Sequence, residues 1–276
     1  MNKIIAKRTL APSVNEYVID APAVARHALA GQFVILRVDA EGERVPFTIC
    51  DFDPRAGSVT ILVQEVGYTT KRLAGLNAGE YLADFAGPLG RPTDLSEFKS
   101  AVLVGGGIGA AVVYPQAKRL FGEGRPADVI IGARAKELIM YETELKTLAK
   151  NLYLTTDDGS YARKGFVTDV LKELLERGDH DCVFAVGPMP MMRAVANLTR
   201  GYNVRTVVSM NSTMVDGTGM CGCCRVSVGG EVKYACVHGP EFDGHLIDFD
   251  EAINRSRAYR DIESEHLCRL TNAVRG

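Results

Sequence analysis

What this chain of 276 residues lacks narrows its class before any motif is read. It has no Lys/Arg-rich block, and 32 basic against 34 acidic residues leave a net charge of −2. Nucleic acid is therefore a poor partner, because phosphate binding needs a basic patch. No uncharged apolar run approaches the roughly 18–20 residues that cross a bilayer, so no membrane span is expected. Lys3, Lys7 and Arg8 are followed by no apolar stretch, so Met1–Leu10 does not read as a signal peptide. The expected location is cytoplasmic. Disulfides are disfavoured there, and clustered cysteines mean metal or redox chemistry.

Four of the seven cysteines fall within one glycine-rich stretch, at Cys221, Cys223, Cys224 and Cys236. Counting Asp216 as a ligand gives D-x4-C-x2-C-x11-C, the plant-type [2Fe–2S] spacing with aspartate in first place. Gly217, Gly219 and Gly222 supply backbone angles that a loop aiming several ligands inward requires. Buried structural thiols explain the solitary Cys50, Cys182 and Cys268, but not four cysteines in sixteen residues. A four-cysteine zinc site is the alternative. It needs two C-x2-C knuckles, and Cys236 has no partner at that spacing.

From Ile4 to Asp84 the chain reads as short strands: Asn15–Asp20, Gln32–Val38, Val45–Cys50, Ser58–Gln64 and Glu80–Phe85. Turn signals separate them at even spacing, which predicts a small antiparallel barrel. A helix is expected over Thr70–Leu76. Arg44, Pro46, Phe47 and Thr48 put a cation, a ring and a hydroxyl on one strand, suited to a phosphate and a flat heterocycle. Gly67, Thr69 and Thr70 stand where a loop enters a helix, a position whose free N–H groups bind phosphate. As bare residues, Arg44 reads equally as a surface charge and the threonines as helix caps.

At Ser100 the pattern changes to alternating strands and helices, which predicts a parallel sheet. Ala101–Val104 leads into Gly105, Gly106, Gly107, Ile108 and Gly109, then a helix over Ala111–Phe121. Gly105, Gly107 and Ala110 fit G-x-G-x-x-A in the strand–turn–helix setting that a dinucleotide fingerprint needs. Further strands are expected at Asp128–Gly132, Leu152–Thr155, Cys182–Val186 and Val204–Ser209, with helices at Lys136–Ala149, Val167–Arg177 and Met191–Arg200. The strand ends carry Arg134, Asp157 and Gly187-Pro188-Met189 as candidate cofactor contacts. Arginine at the second strand end points to a 2′-phosphate, against the acidic residue usual for NAD. The charged tail from about Asp250 to Arg275 reads as helical.

A ring-and-phosphate barrel, a dinucleotide fold and an iron–sulfur loop in series suggest a chain of electron carriers. Hydride brings two electrons and a cluster takes one at a time, so a flavin belongs on the barrel. With these residues the chain resembles the ferredoxin–NADP reductase superfamily. Within it, the chain resembles the electron-transfer subunits of dihydroorotate dehydrogenase B. It looks closer still to the small subunits of NADH-dependent reduced ferredoxin:NADP⁺ oxidoreductase, also called sulfide dehydrogenase. The residues carrying this are Arg44–Ile49, Gly67–Thr70, Gly87–Gly90, Gly105–Gly109, Gly187–Met189 and, above all, Met214–Gly244.

The resemblance implies a β-barrel FAD domain over 1–98, an α/β NAD(P)-binding domain over 99–209, a [2Fe–2S] domain over 210–246 and a helical tail over 247–276. Pro46, Phe47 and Thr48 would contact the isoalloxazine, with Thr48 near N5. Gly67, Thr69 and Thr70 would hold the FAD pyrophosphate. Gly105–Gly109, Arg134 and Gly187–Met189 would frame NAD(H). Asp216, Cys221, Cys224 and Cys236 would ligate the cluster. Aspartate as first ligand is the pattern of the ferredoxin:NADP⁺ relatives, where dihydroorotate relatives carry cysteine. Two residues depart from the family: Arg44 lies farther from Thr48 than usual, and Cys223 replaces a small residue. The implied partner is a large FAD/[4Fe–4S] subunit resembling the glutamate synthase small subunit, with ferredoxin reached through the complex. The alternatives are service to dihydroorotate oxidation, or a zinc-binding regulatory relative without redox carriers.

Overall fold

The computed structural model describes residues 1–258 and Ile262. The first sheet is antiparallel throughout and has the order β6-β1-β2-β5-β4-β3-β7. Its strands are β1 (Asn2–Ala11), β2 (Val14–Asp20), β3 (Phe33–Arg37), β4 (Val45–Asp53), β5 (Ser58–Gln64), β6 (Tyr81–Leu82) and β7 (Asp84–Leu89). The two edge strands β6 and β7 are separated in sequence by Ala83 alone, whose N–H donates to the Arg37 carbonyl at 3.1 Å. The sheet therefore curls back on itself as a nearly closed barrel. Ile4, Tyr17, Ile19, Ile49 and Ile61 fill it, all fully buried, and two short helices, α1 (Pro22–Ala25) and α2 (Tyr68–Ala74), lie between its strands in sequence. Strand β1 was not foreseen. Its Lys3, Lys7 and Arg8 hide a weak alternation in which Ile4 and Ala11 are the buried positions.

The second sheet has the order β11-β10-β9-β8-β12-β13-β16. It comprises β8 (Ala101–Gly106), β9 (Asp128–Ala133), β10 (Asn151–Thr156), β11 (Arg163–Lys164), β12 (Cys182–Val186), β13 (Arg205–Ser209) and β16 (Glu241–Asp243). All neighbours are parallel except β16, which runs antiparallel to β13 through Val207↔Asp243 and Ser209↔Glu241. Strands β8 and β12 are buried along their whole length, as a parallel sheet covered on both faces requires. Covering it are α3 (Ala110–Gly122), α4 (Glu142–Leu148), α5 (Val167–Arg177) and α6 (Met189–Arg200). In α5, Val167, Val170, Leu171, Leu174 and Leu175 form the buried stripe of an amphipathic helix. The single helix expected over Lys136–Ala149 is instead a 3-10 turn at Lys136–Leu138 followed by α4. Tyr141, at φ 58°, breaks the run between them.

The cysteine-bearing segment contributes a hairpin, β14 (Arg225–Val228) and β15 (Glu231–Tyr234), closed by Gly229-Gly230 at φ 60° and 82°. A two-residue turn with positive φ at both positions matches the strand twist and fixes register. One turn of helix, α7 (Ala235–His238), follows β15, and after β16 helix α8 (Phe249–Ser256) packs Phe249 and Ala252 inward. The rest of the expected tail helix, with Cys268, lies outside the described residues. Among the described residues no helix is long and apolar enough to cross a membrane.

A polar knot joins these parts. Thr93 Oγ1 donates to Glu241 Oε1 at 2.6 Å and accepts from Gln116 of α3. Gly31, at φ 93°, lets the barrel approach, since a Cβ there would stand 2.1 Å from Thr93 Oγ1. Burial pushes the Glu241 carboxyl from its ordinary 4.5 up to about 8. The folded chain thus holds a proton that the unfolded chain has already released between those values, so stability falls as pH rises across that interval. We expect the thermal midpoint to drop over this range in the native chain. In Glu241→Gln that drop is smaller, as differential scanning at several pH values would show.

Candidate functional site

Strand order reverses between β8 and β12, and their carboxyl ends open a crevice of the kind that binds ligands in such sheets. There a cleft of about 1110 Å³ runs between the barrel and the second sheet. Its walls come from three places. Pro46, Phe47 and Thr48 of β4 form the barrel side. Gly106–Gly109 and Gly187-Pro188 form the sheet side, and Met210, Asn211, Ser212 and Met214 continue toward the cysteine loop.

The two glycine turns touch backbone to backbone. A Cβ on Gly187 would lie 3.1 Å from the Gly106 Cα, and one on Gly109 would lie 2.3 Å from the Val186 carbonyl oxygen. Gly107 differs. Its φ is 55° and a Cβ there would meet nothing within 4 Å, so its backbone faces open space. Gly105 and Met189 stand behind this surface rather than on it: a Cβ on Gly105 would press into Ile131 and Val113, and Met189 is buried in the core.

Arg134 and Asp157 also line the cleft, each just beyond its strand. Among the described residues no hydrogen bond or ion pair engages the Arg134 guanidinium or the Asp157 carboxylate. Asp158 is committed to its own turn: it accepts the Ser160 N–H at 2.9 Å, and Ser160 holds its carboxyl below the usual range.

Other expected contacts lie elsewhere. Arg44 is outside the cleft, with Nε on the Val215 carbonyl at 3.4 Å, tying the barrel to the cysteine loop. Gly67, Thr69 and Thr70 also lie apart from the cleft walls. Thr70 Oγ1 accepts the Gly67 N–H at 2.9 Å as a helix cap, and Thr69 Oγ1 donates to Glu43 at 3.1 Å. Cleft residues not foreseen include Cys50, Phe166–Thr168 and Ser209–Ser212. Ser209 ends a parallel strand, so the strand-end rule that picked out Arg134 applies to it equally.

In the cysteine loop the hairpin register brings Cys224 and Cys236 together. Their sulfurs are 3.1 Å apart, and the Ala235 N–H donates to the Cys224 carbonyl at 3.0 Å. Burial and the neighbouring Cys224 push the Cys236 thiol up to about 12. Cys221 is exposed. Backbone N–H groups of Cys223 and Asp216 face its sulfur and hold its thiol below the usual value. Asp216 Oδ2 accepts the Thr218 N–H at 2.8 Å, the Thr218 hydroxyl, and the Met220 N–H at 3.4 Å. Among the described residues no three His, Cys, Asp or Glu side chains converge on one point. The donor set still suits an iron–sulfur cluster: soft sulfur ligands, backbone N–H groups aimed at sulfur, and Gly217, Gly219 and Gly222 at φ 84°, 88° and 68°.

Comparison with known proteins bears on both halves. Residues 211–248 match the iron-sulfur cluster binding domain of dihydroorotate dehydrogenase B, and residues 103–197 match the oxidoreductase NAD-binding domain. The chain is 49% identical over 274 residues to the uncharacterized protein in adh 3′ region of Clostridium beijerinckii, covering 96% of this chain and 93% of that one. It is 41% identical over 263 residues to a Thermotoga maritima homologue of the dihydroorotate dehydrogenase B (NAD⁺) electron transfer subunit, with coverage of 95% and 93%. A solved structure of NADH-dependent reduced ferredoxin-NADP oxidoreductase, described for flavin-based electron bifurcation, superposes with a TM-score of 0.92. It has 40% identity, and 98% of each chain is covered.

Fold and cleft together define an oxidoreductase subunit for electron transfer, with an NAD-binding domain and an iron–sulfur cluster-binding domain. The chain belongs to the family of dihydroorotate dehydrogenase B electron transfer subunits and their homologues.

The glycine geometry separates two kinds of damage. Gly109→Ala drives a methyl into the Val186 carbonyl and lowers the unfolding midpoint. Gly107→Ala costs about 1 kcal/mol for its left-handed backbone and leaves the fold intact. It weakens NADH binding by about tenfold or more, roughly 1.4 kcal/mol, because the methyl fills the open approach. Calorimetric titration with NADH, beside thermal melts, checks both.

Proposed function

We propose that this chain is the NAD(H)-side subunit of a flavin-dependent complex that exchanges electrons among NADH, ferredoxin and NADP⁺. One observation carries the reading: a single cleft joins the Pro46–Thr48 strand, the Gly106–Gly109 turn and the Met210–Met214 approach to the cysteine loop. A nicotinamide held on the glycine turn would then face whatever ring Pro46–Thr48 holds, close to the sulfurs that carry charge onward.

FAD bound here would supply the conversion of hydride pairs into single electrons. Pro46, Phe47 and Thr48 would hold its ring system. Thr48 sits opposite Phe33 in the β3–β4 pairing, which fixes its position on the wall. Its hydroxyl would be the polar group beside the ring nitrogen that receives hydride. Hydride transfer needs alignment rather than an acid or base, so no proton donor is assigned. Gly106–Gly109 and Gly187-Pro188 would let the dinucleotide backbone approach closely, with Gly105 and Met189 behind them and Arg134 and Asp157 at the adenosine end. Arg44, Gly67, Thr69 and Thr70 are assigned to the flavin phosphates by family resemblance alone. Asp216, Cys221, Cys224 and Cys236 would hold a [2Fe–2S] cluster. A large FAD/[4Fe–4S] subunit would complete the complex.

Asp216 in first ligand place and the full-length superposition on the ferredoxin-NADP oxidoreductase favour this branch. Service to dihydroorotate oxidation is the second reading, favoured by the description of the matched cluster domain. The large subunit that co-purifies separates the two. For the proposed activity, anaerobic protein mixed with NADH should lose its flavin absorbance rapidly, and NADPH should act more slowly, since Asp157 offsets the pull of Arg134 on a 2′-phosphate. Equal or faster reduction by NADPH overturns the NAD(H) assignment, and protein without flavin overturns the reading as a whole.

A further inference from the structure

We infer that Ser209 and Asn211 recognise the carboxamide of the nicotinamide and so fix the ring in the cleft. The inference deepens the proposed NAD(H)-side reading and rests on it. Strand order carries it. The glycine turn follows β8, which lies between β9 and β12 in the sheet. Arg134 and Asp157, the residues suited to an adenosine ribose, stand just past β9 and β10, on one side of that turn. With its pyrophosphate on the turn, a dinucleotide must carry its other half to the opposite side, over the ends of β12 and β13. Register sets those ends level. Gly105 pairs with Val186 and Ala185 with Val208, so Ser209 falls one step on, beside Val186. Two strand spacings, about 10 Å in all, then separate the end of β8 from the end of β13.

The cleft wall on that side is mostly apolar, with Pro188, Met191, Met210, Met214 and Pro240 upon it. Its polar side chains are Ser209, Asn211 and Ser212. Among the described residues no hydrogen bond engages any of these three side chains. A carboxamide brought against such a wall presents a carbonyl acceptor and an amino donor, and leaving them unpaired there costs affinity. Asn211 can donate and accept at once, and Ser209 can do either. Both are held from the sheet. Ser209 pairs with Glu241 of β16, and the Met210 N–H between them donates to the Pro240 carbonyl at 2.9 Å. Ser209 and Asn211 are therefore positioning residues. By gripping the amide they decide which way the ring is turned toward the barrel wall at Pro46–Thr48.

The test is calorimetric titration of the oxidised full chain, where no electron moves, with NAD⁺, with acetylpyridine adenine dinucleotide and with ADP-ribose. The second carries a methyl ketone in place of the amide, and the third has no nicotinamide. Wild type is expected to bind NAD⁺ about tenfold more tightly than the ketone analogue. Asn211→Leu is expected to weaken NAD⁺ by about tenfold, to erase that preference and to leave ADP-ribose affinity unchanged. Ser209→Ala does the same to a smaller degree. Melting temperature confirms that each variant is folded. Folded Asn211→Leu that keeps the wild-type preference for NAD⁺ overturns the inference, and so does a wild type that binds amide and ketone alike. Loss of ADP-ribose in step with NAD⁺ also overturns it, since the damage is then general. A wild-type chain that binds none of the three overturns the dinucleotide reading itself, which sets that failure apart from the others.

Discussion

The whole arrangement depends on one close approach, the contact of two glycine turns at the ends of β8 and β12. Adjacent parallel strands bring the turns so near that a Cβ on Gly187 would stand 3.1 Å from the Gly106 Cα, and one on Gly109 2.3 Å from the Val186 carbonyl oxygen. Because neither has one, the floor of the cleft is bare backbone, and a flat dinucleotide can lie against it. Side chains there would force the two turns apart. The absence of side chains at these few positions is therefore what turns a packed sheet edge into a site.

From this floor the remaining parts are placed by strand register. Pairing of β3 with β4 sets Thr48 opposite Phe33 on the barrel wall. Pairing of β13 with β16 makes the cysteine-bearing segment an extra strand of the dinucleotide sheet rather than a tethered appendage. The core follows the same logic. Phe33 and Ile35 of the barrel, Val183 and Ala185 of the sheet, and Cys224 and Cys236 of the loop belong to one continuous apolar cluster. Electron transfer falls off steeply with distance, so a core shared by all three parts helps to hold the spacing between their sites.

Much of this was legible in the sequence because it rests on short-range rules. Strand, glycine run and helix in succession mark the dinucleotide turn, and D-x4-C-x2-C-x11-C marks the loop. The Gly229-Gly230 turn explains why eleven residues between Cys224 and Cys236 close a ring. What stayed hidden depends on partners far away in sequence. Strand β1 carries too many charges to show its buried face. Strand β16 pairs only because β13 offers a free edge. Glu241 looks like an ordinary acidic residue until Thr93 and Gln116 are seen against it. Arg44 read equally as a phosphate ligand or a surface charge, and its contact with the Val215 carbonyl, 171 residues away, has no local signature.

The central claim is that the cleft passes electrons from NADH through a barrel-bound flavin to the cysteine loop. Freeze-quench paramagnetic resonance, recorded beside flavin absorbance after mixing the intact complex with NADH, tests it most directly. The account predicts that the reduced-cluster signal grows only as flavin absorbance falls, and that removing FAD abolishes both. A cluster reduced by NADH in FAD-free protein, or one that stays oxidised while the flavin is bleached, would contradict it.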